Sequence, residues 1–469
     1  MMAGCAAVPA VAPQSQPLAP AAIAAEQSLP ASTSARWPDA DWWRSYGDPQ
    51  LAALVEEGLA RSPDLAAVMA RYRNAAAMAQ QAAGATLPSL DVQAKASEDK
   101  QSYNNGFPKA FLPQGWNDNG QLAASLGFDL DIWGRNRAAL AAARADARAA
   151  ELDAQQARLL LASGIAAAYV DLARLGAERD IRAAMLEART ATQDLVGKRV
   201  GQGLDARGSL RQSEAASAIA RADLAAADEA ILLRRHQLAA LIGAGPDRGL
   251  AIARPALPAL AADGLPQGVT TDLIGRRPDI VAARERLESA AARIKMARAD
   301  FFPAIRLNAL IGLQSLGLGS LLQGDSTFGS IGPAVSLPVF HGGALSGRYR
   351  SAHAGYDADV ADYYKTELAA YQQVADAVTS RQALAARLGD TRAALAATQD
   401  AYAIARRRYD GGLSTYLDVL SVEDRLLQAR LAATALEAAA RSADITLIRA
   451  LGGGFAPAAP DAAKDARHD

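Results

Sequence analysis

Two copies of one pattern follow each other along this chain, in the same order and at nearly the same separation. Ser62-Pro63-Asp64-Leu65 returns as Arg277-Pro278-Asp279-Ile280, and Leu87-Pro88-Ser89-Leu90 returns as Phe302-Pro303-Ala304-Ile305, both at an offset of 215 residues. Further on, the run from Arg199 to Leu204 returns from Arg408 to Leu413, and LIGAG at 241–245 returns as ALGGG at 450–454, both at an offset of 209 residues. Four ordered matches define a duplicated unit, and a repeat fixes the architecture before any single element is read. The reading divides the chain into a first repeat over 37–245, a Pro/Ala/Gly linker over 246–268 and a second repeat over 269–454. Residues 1–36 form a lipid-bearing start and tether, and 455–469 a disordered tail.

Each copy has one internal plan. The spacing predicts a helix over Pro49–Gly84, a very long one over Arg135–Lys198 and another over Leu204–Gly243. The second copy places its counterparts over Asp272–Asp300, Ala344–Tyr409 and Leu413–Leu451. At ~1.5 Å per residue the two long runs reach roughly 96 and 99 Å, a length no globular core uses. Ile165, Ala168, Tyr169, Leu172 and Leu175 form an apolar stripe at spacings of 3 and 4, with Asp171, Arg174 and Glu178 off it, which predicts one packed and one wet side.

Between the helices lie four stretches of strict alternation, about 86–97, 120–132, 303–315 and 328–340. Alternation puts apolar and polar side chains on opposite faces of a strand, and ~10 residues cross a bilayer when tilted. Phe301, Phe302, Trp133 and Phe340 cluster at the helix-side ends of these strands. Tyr103, Phe107, Phe111 and Trp116 sit in the loop at the other end, a placement expected of interfacial belts or of an ordinary amphipathic sheet. Four strands cannot close a barrel alone, since the smallest outer-membrane barrels use eight.

Composition closes off other classes. With 49 Lys+Arg against 50 Asp+Glu the net charge is -1, so no basic field holds nucleic acid. No stretch reads as a spanning helix: Leu307–Gly324 comes nearest but is broken by Gln314, Gln323 and glycines. Gly201-x-Gly203 lacks the third glycine of a dinucleotide loop, and His236, His341, His353 and His468 are scattered without metal-ligand partners. No catalytic site, metal or cofactor is expected. The one cysteine, Cys5, stands in MMAGCAAVP. Met2-Ala3-Gly4-Cys5 has the small-small-Cys form of a lipoprotein cleavage box. Only four residues precede it, so either the true start lies upstream or Cys5 is a chance residue.

These residues resemble the TolC-like outer-membrane efflux proteins, in the lipoprotein branch that serves resistance-nodulation-division pumps. The resemblance rests on Cys5, the WW...GDPQLAALVEEGL...SPDL opening, RRPDI in the second copy, the paired Gly-Leu tips and the closing ALGGG. It covers residues 37–453. The resemblance implies an internally duplicated α+β membrane protein in which four strands per protomer complete a trimeric 12-stranded β-barrel. That barrel continues as a long periplasmic α-helical coiled-coil barrel closed at its far tip. It further implies a covalent lipid on Cys5 and three partners: two more copies of the chain, a periplasmic adaptor protein and an inner-membrane proton-driven transporter.

The helix-to-helix tips then carry the candidate site. Gly203, Leu204, Gly412 and Leu413 either cap helices or, as the resemblance implies, meet the adaptor. Asp418 is a solvated helix residue or, repeated by threefold symmetry, a ring of charge at a constriction. Relatives often place a second acid one turn on, where this chain has Ser421, and Glu423 is out of phase, which puts a double ring in doubt. Arg207, near the equivalent position of the first copy, is expected to pair with Asp418 or Asp410 and hold the tip shut. The functional expectation is a passive duct for drugs or other small molecules in the bacterial outer membrane. The alternatives are the outer component of a protein-secretion or metal-ion efflux system, and a coiled-coil scaffold outside any membrane.

Overall fold

Proline at 49 and 63 starts two consecutive helices where alternating composition alone predicts one. Pro63 has no N–H to give and disfavours helical backbone at Ser62, so α1 (Pro49–Arg61) ends there and α2 (Pro63–Gly84) begins. The computed structural model describes residues 8–11, 14–15, 24–25, 27–29, 36–257, 273 and 275–456. The described elements continue as β1 (Ser89–Asp99), β2 (Asn117–Asp129), α3 (Arg135–Gly201), α4 (Arg207–Leu241) and α5 (Pro246–Leu250). They end with α6 (Pro278–Ala299), β3 (Ala304–Leu316), β4 (Thr327–Ser336), α7 (Ala344–Asp410) and α8 (Tyr416–Ala450). The repeat is metrical: α2 and α6 have 22 residues each, α3 and α7 have 67, and α4 and α8 have 35.

The chain divides into two units, one of 1–17, 71–150 and 283–363, the other of 18–70, 151–282 and 364–469. The first holds a four-stranded antiparallel sheet in the order β1-β2-β3-β4, so β1 and β4 are free edges. Register puts Leu90, Leu126, Ala309 and Ile331 in one row across all four strands, and Val92, Ala124 and Ile311 in another. Lys95, Gln121 and Gln314 form a row of the opposite face. The apolar face stays uncovered by the chain itself, with Ile311 71% and Ile331 78% exposed. β4 stops at Ser336, short of the expected 340, because Pro338 cannot donate to a ladder. Phe301 does not stand in a belt: it is buried against Tyr349 and Ala297, whereas Trp133 and Phe340 are exposed.

The same unit corrects the reading of the N-terminal stretch as wholly free tether. Val8 and Val11 pack beside Phe301 and Tyr349, and the N–H groups of Gln14 and Ser15 donate to Asp357 Oδ1 at 3.1 and 3.0 Å. Cys5 lies outside the described residues, as do 258–268 of the linker, 269–272 at the start of the second repeat and 457–469 of the tail. The linker opens with α5 rather than coil.

The second unit builds its core on the predicted stripe: Ile165, Ala168, Tyr169 and Leu172 are buried with Leu51, Leu54, Val55, Leu238 and Ile242. Tyr169 donates to Asp48 Oδ2 at 2.7 Å, and Asp48 in turn caps α1 through the N–H groups of Gln50 and Leu51. The expected wet side is not wet. Glu178 is buried, and Arg234 of α4 reaches across to Asp171 at 2.5 Å. α3 contains one stretch long and apolar enough to cross a membrane by composition, contrary to the sequence reading, and 61% of it is buried inside the fold. Packing assigns it to the core.

Both copies end alike. Gly243 N–H bonds to Ala240 and Ala244 N–H to Ala239, and Gly452 and Gly453 repeat this with Arg449 and Ile448. These are Schellman caps, which place a glycine in left-handed backbone. A Cβ on Gly243 (φ 74) would lie 2.5 Å from the Arg61 carbonyl oxygen, and one on Gly452 (φ 90) 1.9 Å from that of Arg276. Each glycine lets the helix end press onto the backbone just before the SPDL or RPDI motif. Buried Arg277 fastens the second contact, binding Asp279 through two bonds, Gln373 at 3.0 Å and the Ala450 carbonyl at 3.0 Å.

Candidate gate at the helix tips

Where α3 turns into α4, Gly203 (φ 74) donates to Val200 at 3.0 Å and Leu204 N–H to Arg199 at 2.8 Å. Gly412 (φ 74) and Leu413 make the same pair of bonds to Tyr409 and Arg408 between α7 and α8. Both tips are Schellman turns, and the cap thrusts the next side chain outward: Leu204 is 64% and Leu413 74% exposed. The capping role of the glycines is thus visible, and two solvent-facing leucines come with it.

The helices that follow start differently. Thr415 and Asp418 form a capping box at the start of α8: Thr415 N–H and Oγ1–H donate to Asp418 Oδ2 at 2.9 and 2.8 Å, and Asp418 N–H returns to Thr415 Oγ1 at 3.4 Å. The Thr415 backbone N–H, then its hydroxyl, hold the exposed Asp418 carboxyl below the usual carboxylate range. The first copy has Ala206 and Ser209 at those two positions and no side-chain cap. Arg207 stands exposed in the first turn of α4, and among the described residues it forms no ion pair within the chain. The expected Arg207 contact with Asp418 or Asp410 is absent from the single protomer. Its side chain lies at the positive end of a helix dipole, and Asp418 is already occupied by Thr415.

The tips are joined by other residues. Tyr409, in the last turn of α7, donates its hydroxyl to Asp205 Oδ2 at 3.0 Å, while the Arg199 guanidinium stacks 4.9 Å from the Tyr409 ring and lies 3.8 Å from Asp205. Beneath them Tyr409, Tyr416, Val196 and Val419 make a small buried core. Burial acts upward on Asp205, yet hydrogen bonds from Ser209, the Ala206 N–H and Tyr409, with the charge of Arg199, carry its carboxyl below the ordinary range. Burial and then the Asp205 bond push the Tyr409 phenol up to about 12. This contact therefore keeps a neutral donor on a charged acceptor across the physiological range.

About three turns back along α3 from Arg199, Arg189 is buried and reaches two other helices: on α4 its Nη1 donates to the Ala216 carbonyl at 3.3 Å, and on α8 its Nη2 binds Asp424 and its Nε lies 3.7 Å from Glu423. Glu423, out of phase in a ring, is in phase with this core. Burial pushes its carboxyl up, against the opposing pull of Arg189. Sequence reading missed Arg189, Asp205, Tyr409 and Glu423 because each partner lies more than 200 residues away or on a face whose burial only packing decides. The one available signal was a tyrosine on either side of the second-copy turn, Tyr409 and Tyr416, with no aromatic in the first copy at 200 and 207. Ser421 is exposed one turn beyond Asp418, and neither residue joins the Arg189 network.

The chain is thus duplicated, with a four-stranded sheet whose apolar face it leaves uncovered and with polar-latched turns between its paired helices. Its sequence matches the model of the outer membrane efflux protein family over residues 54–244 and 269–453, one match for each repeat. The chain belongs to that family. It is 37% identical to the fusaric acid resistance protein FusA of Burkholderia cepacia, over 76% of this chain and 68% of that one. It is 28% identical to the multidrug resistance outer membrane protein MdtP of Escherichia coli K12, over 97% and 94%. Among solved structures, the outer membrane protein VceC of Vibrio cholerae superposes with a TM-score of 0.84 at 43% identity, over 89% of this chain and all of that one. The protein is thus an outer-membrane efflux component and not an enzyme, which sets aside the scaffold reading.

Proposed function

We propose that three copies of this chain close one channel that passively conducts drug-like small molecules from periplasm to exterior, driven by an adaptor and an inner-membrane proton-driven transporter. The observation that carries it is the sheet: four strands of bilayer-crossing length, one continuous apolar face and two unpaired edges. An unpaired edge in hydrocarbon leaves each backbone group unsatisfied, so β4 of one copy pairs with β1 of the next until the ring closes. Small organic clients are supported by FusA and MdtP, which are named for resistance to fusaric acid and to multiple drugs. The exposed Leu204 and Leu413 are the adaptor contact, and Asp418, with Ser421 beside it, gives one acidic ring rather than two. Reconstituted in planar bilayers, the heat-modifiable trimer is expected to show stepwise conductance. A protein that stays monomeric and adds no conductance would overturn the reading.

Cys5 carries the lipid anchor in this proposal. Support comes from the described part of the stretch, since Val8 and Val11 pack at Tyr349 while Ser15 binds Asp357, eight residues further from the strand end of α7. The chain therefore approaches the strands as it runs back towards its start. Mass spectrometry of the expressed protein with its native upstream sequence should find acyl chains on Cys5. An unmodified thiol there removes the anchor from the proposal.

A further inference from the structure

One of the contacts that join the two repeats near the tips carries an uneven charge. Arg189 of α3 meets two carboxylates of α8: its Nη2 binds Asp424, and its Nε lies 3.7 Å from Glu423. The side chains of Arg189 and Glu423 are buried, at 7% and 3% exposure, whereas that of Asp424 is 57% exposed. We infer that this junction is a proton-operated clasp, in which Glu423 takes up a proton in the closed tip as the medium acidifies and gives it up as the tip opens. The inference rests on the conduit proposed above and says how its closed state is regulated.

The count of charges makes the argument. One guanidinium serves two carboxylates, so with both ionised the junction keeps an unbalanced anion. Asp424 faces solvent and takes the Arg189 hydrogen bond. Glu423 is left with the poorer share: its Oε1 has no hydrogen-bond partner, and its Oε2 stands beyond hydrogen-bond reach of Arg189 Nε. A buried carboxylate without a hydrogen bond is unfavourable, and a proton removes its charge. The other groups packed against it leave that excess in place. α7 brings Arg406, half-buried and donating to the Tyr402 hydroxyl at 3.4 Å, and α8 itself adds the buried Tyr416. α4 meets Arg189 through the Ala216 carbonyl; of its own charges nearby, Arg211 and Glu214 pair with each other at 2.7 Å and Arg221 is exposed. Burial acts most strongly on the Glu423 carboxyl and Asp424 adds to it, so it stays above the ordinary range against Arg189, Arg406 and Tyr402.

A carboxyl held above its ordinary range in the closed tip, and returned to water in the open one, binds its proton more tightly when closed. Acid therefore favours the closed tip, and the preference fades as pH rises through the raised value. The second latch does not follow, since Asp205 is held below the ordinary range and the Tyr409 phenol is pushed up to about 12. Asp418 is likewise held low by Thr415. No histidine lies between Arg189 and Ser213 or between Tyr402 and Asp424.

The test records full-length trimers in planar bilayers while pH is lowered from the mildly alkaline to the mildly acidic range. One proton per junction changes its open-to-closed ratio by at most about tenfold per pH unit, and the parent should close as pH falls. Glu423→Gln, neutral at every pH, should lose the dependence. Asp424→Asn, which leaves Arg189 to Glu423 alone, should move it to lower pH. Asp205→Asn loosens the other latch and should keep it. A parent indifferent to pH, a parent that opens on acidification, or a Glu423→Gln trimer that responds like the parent overturns the inference. Infrared titration of the same proteins in detergent reads the proton without conduction. The band of protonated carboxyls that persists above the ordinary carboxylate range should be weaker in Glu423→Gln than in the parent, and equal bands overturn the inference whether or not the protein conducts. A parent that stays monomeric and adds no conductance overturns instead the conduit reading on which the inference rests.

Discussion

Tyr409→Phe combined with Arg189→Ala should turn a mostly closed channel into a mostly open one, raising mean conductance in planar bilayers and admitting larger solutes. The two residues join the helix pair of the first repeat to that of the second: Tyr409 of α7 reaches Asp205 between α3 and α4, and Arg189 of α3 reaches Glu423 and Asp424 of α8. Their weights differ. Loss of the phenol hydroxyl removes one hydrogen bond to a charged acceptor, roughly 1.5–3 kcal/mol. Loss of Arg189 leaves Glu423 buried without its cation, which costs about 3–5 kcal/mol for pairs this enclosed. Asp424 is more than half exposed and adds little of its own. A shift of about 4 kcal/mol moves a closed-to-open ratio by roughly three decades. Single-channel recording of the double variant beside Arg207→Ala separates the latch found in the fold from the one expected in the sequence. If Arg207→Ala opens the channel and the double variant does not, the latch lies between protomers at Asp418.

The largest loss of stability should follow Gly452→Ala. Left-handed backbone costs a non-glycine residue about 1–3 kcal/mol, and a Cβ set 1.9 Å from the Arg276 carbonyl forces the α8 end off the start of α6. Overpacking of that kind adds roughly 1–3 kcal/mol. Gly203→Ala is the matched control, since φ is again strongly positive and nothing lies within 4 Å of its would-be Cβ. Thermal melting of both in detergent should show a modest drop for Gly203→Ala and a drop several times larger, or no folded protein, for Gly452→Ala. Equal drops would mean that strain at φ, and not the close approach, is what the closing glycines relieve. The same comparison at Gly243 tests whether the two repeats are built on one contact.

Much of the architecture was legible because it rests on period and repetition. The 3.6-residue stripe of α3, the two-residue alternation of the strands and the 209-residue echo of the Gly-Leu tips are properties of neighbours along the chain, and backbone geometry converts them directly into faces and turns. For the same reason the tips were correctly seen as turns, while their latch was not. Glu423 has no local feature to distinguish it from any exposed helix acid; only the arrival of Arg189, 234 residues earlier, makes it a buried partner. Glu178 was assigned to water because it lies off the stripe, yet it is buried, held between Arg174 and Arg182 of its own helix.

The sequence by itself determined a duplicated chain of very long helices and four strands unable to close alone, since each follows from spacing and from counting backbone hydrogen bonds. Tertiary structure alone decided which charges are buried, that Tyr409 reaches Asp205, and that Phe301 belongs to a core while Trp133 and Phe340 face outward. Burial and pairing depend on what lies across a gap of one helix diameter, and that information is held by residues far apart in the chain.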